Sequence, residues 1–116
     1  MEPETRQIVH LCRRVEWEAA LETGDYRDAS LQEVGFIHCS RPEQILWVAN
    51  HYFHGTDSLA LLWIDPPRVV SEIRWETSDG QIFPHIYGPL NLEAVVAVSE
   101  LSPEEDGTFR MVFGPG

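Results

Sequence analysis

Gly35-Phe36-Ile37-His38-Cys39-Ser40-Arg41-Pro42-Glu43 reads as a short strand that runs directly into a helix. Phe36 to Cys39 form an apolar run, entered through a glycine, with an imidazole in its middle. Strand side chains alternate, so Phe36, His38 and Ser40 share one face and Ile37 and Cys39 the other. Ser40 and Glu43 then have the Ser-x-x-Glu spacing of a capping box. In that arrangement the hydroxyl takes a free helix amide and the carboxylate reaches back to the Ser40 N–H. A histidine at a strand end, beside the positive end of a helix, is suited to an anionic ligand. The plainer alternative is a core histidine held by a backbone carbonyl next to an ordinary capping serine.

Outward from this stretch the pattern remains a mixture of short helices and strands. Downstream, residues 41–54 are expected to form a helix, with Ile45, Leu46, Ala49, Tyr52 and Phe53 as one apolar stripe and Gly55 as its end. Upstream, residues 7–12 read as a first strand with Ile8, His10 and Cys12 on one face. Residues 15–22 read as a helix stopped by Gly24, and residues 24–30 as a polar connector containing Tyr26. Residues 31–34 are too short to assign.

The second half is strand-rich. Leu59-Ala60-Leu61-Leu62-Trp63-Ile64 is a continuous apolar run of strand length, as expected of a strand covered on both faces. Residues 69–76 and 81–87 are strands joined at Ser78-Asp79-Gly80, a hairpin turn signal. Gly88-Pro89 is a further turn, and residues 93–101 are β-rich. The reading is a single α+β domain over residues 1–116, with a split, mainly antiparallel sheet and two helices in the N-terminal half. Its core spans about residues 7–101, and residues 102–116 hold a turn and either an edge strand over 108–113 or a loose tail.

The chain has 116 residues, 43% hydrophobic and 23% charged, which suits one soluble domain with a real core. No run is long enough to span a bilayer, and the acidic start Met1-Glu2-Pro3-Glu4 does not resemble a signal or transit peptide. The expectation is a cytoplasmic protein with no membrane association. Cys12 and Cys39 do not make a disulfide framework and read as small buried residues. The formal net charge of −11 opposes phosphate backbones, which argues against nucleic acid as a partner. All eight basic residues are arginine, so lysine Schiff bases and a phosphate-loop lysine are excluded.

Histidine is the natural acid–base side chain near neutral pH, which makes the five histidines the first candidates. His10 and His38 lie in expected strands. His85 lies in Phe83-Pro84-His85-Ile86-Tyr87-Gly88, where His85 and Tyr87 share a strand face. For Tyr87 a turn-anchoring hydrogen bond is an equal alternative. His51 and His54 are three apart at a helix end, a spacing open to a metal, but no third ligand accompanies them and no metal is expected. A zinc set of His10, Cys12, His38 and Cys39 is hard to build, because His38 and Cys39 project to opposite sides of a strand. Cys39 as a nucleophile has no sign of thiol activation around it.

The Gly35–Ser40 stretch, taken with Phe83-Pro84-His85-Ile86-Tyr87-Gly88-Pro89-Leu90, resembles the bacterial domain-of-unknown-function family 952. Ile8-Val9-His10, Trp17, Gly24-x-Tyr26 and Arg74-Trp75-Glu76 support the likeness, which covers about residues 7–101. A glutathione S-transferase label sometimes given to members does not suit so short a chain. The family is grouped with the ADP-ribosyltransferase-like fold, a split sheet that cradles nicotinamide adenine dinucleotide (NAD). It is similar in particular to relatives of RNA 2′-phosphotransferase. The resemblance implies a transferase with NAD as cofactor and a small nucleotide as ligand. In that pattern His10 holds a ribose, His38 is the second histidine, and Ser40 belongs to the binding set. Tyr87 stacks on nicotinamide, Arg74 meets a phosphate, and His85 or Glu76 moves a proton. The acidic chain departs from the basic phosphotransferases, and Glu76 matches a catalytic glutamate only by strand position. The rival reading is a non-catalytic module that binds a small molecule or a protein.

Overall fold

The run from Leu59 to Ile64 has every side chain buried, and the rest of the chain is layered around it. Residues 7–110 are described in a computed structural model of the chain. The run is β4 (Leu59–Ile64), the middle strand of a three-stranded antiparallel sheet. β1 (Ile8–Arg13) pairs on one side, with Ile8 opposite Ile64 and Arg13 opposite Leu59. β8 (Val95–Leu101) pairs on the other, with a register shift between Trp63 and Ile64. Alternation sends Ala60, Leu62 and Ile64 into one core, with Ile8, Cys12, Tyr26, Ile37 and Leu90. It sends Leu59, Leu61 and Trp63 into a second core, with Val9, Leu11, Ile45, Ala49 and Phe109. Each buried Leu or Ile contributes roughly 1.5–3 kcal/mol, so the two-sided burial expected from the apolar run is the main stabilising feature of this sheet.

α1 (Arg14–Thr23) follows β1 directly, its first turn closed by the Arg13 N–H donating to Glu16 Oε1 at 2.8 Å. It ends at Gly24 (φ +102°), whose N–H donates to the Ala20 carbonyl. The connector beyond is more than polar loop. Asp25–Tyr26 is a two-residue strand, β2, that pairs with β7 (Leu90–Asn91) and leaves Tyr26 only 1% exposed. The unassigned segment after it contains one helical turn, α2 (Ser30–Glu33).

β3 (Ile37–His38) is shorter than expected and pairs with β6 (Gln81–Tyr87), which pairs in turn with β5 (Glu72–Ser78). The β5–β6 turn has positive φ at Asp79 (54°) and Gly80 (76°), the backbone that an Asp-Gly hairpin demands. This second sheet joins the first through one bridge. Val9 and Ser40 exchange both backbone hydrogen bonds at 2.8 Å. The sheet is therefore split between β1 and β3, and the split opens the cleft described below.

That bridge also corrects the expected capping box. The Ser40 amide is committed to Val9, so the helix begins one residue later. The Arg41 N–H donates to Gln44 Oε1 at 2.9 Å, with Pro42 in the first turn. Glu43 instead lies 3.6 Å from Arg41 Nε at the surface. The helix is a 3-10 turn (Pro42–Gln44) followed by α3 (Ile45–Tyr52). Its stripe buries Ile45 and Ala49 with Leu46, Val48 and Phe53 against them, but Tyr52 is 56% exposed. Residues 108–110 form no strand, and the rest of the expected edge strand lies outside the described residues. The architecture is one α+β domain with mainly antiparallel sheets and few helices. Among the described residues, no helix is long and apolar enough to cross a membrane.

Candidate functional site

A cleft of about 400 Å³ lies where the sheet splits, walled on its far side by α3 and closed by the β5–β6 turn. His10, His38, Ser40 and His85 all line it. The pairing explains how residues so distant in sequence meet. His38 is opposite His85 across β3 and β6, and His85 is opposite Arg74 across β6 and β5. The His38 and His85 rings lie 5.5 Å apart, edge to face. Phe36 stacks on His85 at 4.1 Å and touches His38 at 4.8 Å, so Phe36 and His38 do share a strand face.

His85 is 5% exposed and is held from behind. Its Nδ1 lies 2.7 Å from Glu76 Oε1, and the Tyr87 hydroxyl donates to the same oxygen at 2.8 Å. A carboxylate can only accept, so His85 carries its proton on Nδ1 and Nε2 is left without a protein partner among the described residues. The His85 and Tyr87 bonds hold the Glu76 carboxyl below its ordinary range, and the bond to Glu76 raises the Tyr87 phenol. Arg74 covers the Tyr87 ring at 4.2 Å from its centroid and pairs with Glu72 at 3.1 Å. Glu76, Tyr87 and Arg74 therefore form a layer behind His85, outside the cleft lining. The Tyr87 hydroxyl is thus spent on Glu76, a residue within β5, and not on a turn.

His38 is exposed to the cleft, so the core-histidine alternative does not describe it. Partial burial, then the charges of the His85 and His10 rings, push its pKa below the ordinary value, which favours a neutral imidazole. The histidine held by a backbone carbonyl is His10. It is 5% exposed, its Nδ1 donates to the His38 carbonyl at 2.5 Å, and its Nε2 lies 3.0 Å from the Tyr26 hydroxyl. The Tyr26 hydroxyl donates to Asp28 Oδ1 at 2.7 Å, and the Ser30 N–H donates to Asp28 Oδ2 at 3.0 Å. His10 Nε2, 3.4 Å from Asp28 Oδ1, together with the Ser30 amide and the Tyr26 hydroxyl, holds the Asp28 carboxyl well below its usual range. Both His10 nitrogens are thus used inside the protein. Burial pushes the Cys12 thiol up to about 12 and raises Cys39 as well, the opposite of thiol activation.

The protein-family model described as Protein of unknown function (DUF952) matches residues 11–98. The chain belongs to the DUF952 family. Its fold is similar to the crystal structure of protein CC0527 from Caulobacter crescentus. The TM-score is 0.82 and the identity 33%, over 90% of this chain and 93% of that one. The solution NMR structure of CC0527 matches with a TM-score of 0.75 and 34% identity, over 88% and 90% of the two chains. No curated protein matches the chain. None of these matches carries the ADP-ribosyltransferase likeness.

The DUF952 cleft also contains residues that the sequence reading passed over. Asp28 lines its inner end, and Asp28-Ala29-Ser30 was legible as an Asx turn opening α2. Tyr52 and Asp79 close the outer end, the Tyr52 hydroxyl donating to Asp79 Oδ2 and so tying α3 to the hairpin turn. No local signal points to that contact, which spans 27 residues. His51 stacks on Trp47 at 4.6 Å and meets the Tyr52 ring edge-on at 4.6 Å. In this DUF952 chain His38 and an oriented His85 open on one space. That is the minimum set for moving protons on a bound ligand.

Proposed function

We propose that this chain is a small enzyme acting on a nucleotide, of the ADP-ribosyl- or phosphotransferase type, with NAD as the first ligand to consider. One observation carries the reading: two imidazoles, His38 and His85, face one cleft, and the second is oriented by a carboxylate. Glu76 keeps the His85 proton on Nδ1 and so presents Nε2 as a base, the logic by which a carboxylate orients a catalytic histidine. His85 removes a proton from the attacking group and, as the imidazolium that Glu76 steadies, returns it to the leaving group, while His38 hydrogen-bonds the ligand. Ser40 offers a hydroxyl to a ribose or phosphate oxygen. His10, braced by Tyr26 and Asp28, holds the strand carbonyl of His38 and with it the geometry of the floor. Tyr87 and Arg74 keep Glu76 in place. The resemblance of the His10, His38 and Tyr87 segments to the phosphotransferase relatives supports this choice of ligand class.

The apolar lining, with Ile45, Val48 and Phe53 on the α3 side and Phe83 on β6, favours a second reading: a module that binds a small molecule without turning it over. Turnover and affinity measured together in Glu76→Gln and His38→Ala separate the two. An enzyme loses about 10²-fold or more in turnover of NAD or a 2′-phosphorylated substrate in each variant, while affinity changes little. A wild type that binds nucleotide and leaves it intact is a binding module.

A further inference from the structure

The two ends of the cleft differ in chemistry. The inner end has the imidazoles of His10, His38 and His85. The outer end has Phe83, Tyr52 and the carboxylate of Asp79. Trp47 lies outside the lining, stacked on His51 at 4.6 Å, with its ring centroid 6.0 Å from that of Tyr52 and 6.4 Å from that of Phe83. The Tyr52 hydroxyl occupies Asp79 Oδ2 and leaves Oδ1 open. The bond to Asp79 raises the Tyr52 pKa, so the ring remains a neutral phenol. Among the described residues, no arginine lines the cleft.

We infer that this outer end is a subsite for a small organic cation, a guanidinium or ammonium group of a second ligand. Aromatic faces attract such a cation through their quadrupole, and the open Asp79 oxygen gives it a charge-assisted hydrogen bond. The field of a chain with net charge −11 concentrates cations at its surface and directs them to the cleft mouth. The inference deepens the proposed function and rests on it for one point only: the nucleotide takes the imidazole end, so the cation belongs to its reaction partner. The subsite itself stands on the outer-end geometry.

The test is an NMR titration with methylguanidinium in the absence of nucleotide, using N-methylurea as its uncharged counterpart. The wild type shows shifts concentrated at Tyr52, Asp79 and Phe83 with the cation and none with the urea. Asp79→Asn removes only the charge. Asparagine accepts the positive φ of this turn position and still accepts the Tyr52 hydrogen bond. It weakens cation binding about tenfold, the factor that corresponds to about 1.4 kcal/mol. Shifts scattered over the acidic surface, equal response to N-methylurea, or an Asp79→Asn affinity equal to wild type would each overturn the subsite. Nucleotide binding is read separately at His38 and His85, so failure there leaves the cation result standing and the reverse also holds.

Discussion

Tyr26→Phe isolates one hydroxyl and leaves everything else in place. The ring stays, so no cavity forms at a side chain that is 1% exposed. The hydroxyl joins His10 Nε2 at 3.0 Å to Asp28 Oδ1 at 2.7 Å. A hydrogen bond to an ionised carboxylate is worth about 1.5–3 kcal/mol. Asp28 is 23% exposed and recovers water when the hydroxyl goes, and the buried His10 Nε2 keeps Asp28 Oδ1 at 3.4 Å. The expected loss is about 1.5–3 kcal/mol. For a domain of this size, roughly 4 °C per kcal/mol turns this into a fall of about 6–12 °C in Tm. Thermal unfolding of both proteins by circular dichroism, with urea melts as a second probe, gives the number directly. The pH dependence has a definite sign. Asp28 has a depressed folded pKa, so its stabilising contribution is full above the ordinary aspartate range and fades as pH falls through the depressed value. The gap between wild type and Tyr26→Phe is therefore constant near neutral pH and narrows in acid. A loss below about 0.5 kcal/mol, or a gap that widens on acidification, would refute the network.

Gly88→Ala places a Cβ 2.5 Å from Ser71 Oγ at a φ of +150°, and destabilises by about 1–3 kcal/mol. Adding Ser71→Gly removes the clash and returns part of the loss, which urea melts of the single and double variants will measure. Cys12 and Cys39, buried and with raised pKa values, stay unalkylated by iodoacetamide at pH 8 in the native protein and react fully in guanidinium. Mass spectrometry reads both states, and rapid native labelling of Cys39 would revive it as a nucleophile.

The layers of the fold were legible wherever a local pattern decided them. Leu59–Ile64 announced a strand covered on both faces because it has no polar side, and Asp79-Gly80 announced its hairpin through backbone preference alone. Tyr26 was not legible as core, since its burial comes from pairing between β2 and β7, more than sixty residues apart. The Ser40–Glu43 box failed for a similar reason: a distant strand claimed the Ser40 amide before the helix could. Tyr52 followed the helical stripe in sequence, yet the stripe rotates outward at its end and leaves the ring over the cleft. At the site, alternation correctly put Phe36 with His38 and His85 with Tyr87. Which histidines share one space depended on β3 pairing with β6, and strand order is invisible to local periodicity. His10 shows the limit most clearly. Its strand position was right, but only the structure reveals that both nitrogens serve the protein's own frame.

The most direct test of the central claim is a heteronuclear NMR titration of the full chain with oxidised NAD, in parallel with ADP-ribose and a short RNA. The account predicts saturable shifts with the first two ligands, concentrated at His38, Ser40 and His85, and no response to RNA. Silence from NAD and ADP-ribose at millimolar concentration, or shifts confined to surfaces away from those three residues, would contradict it.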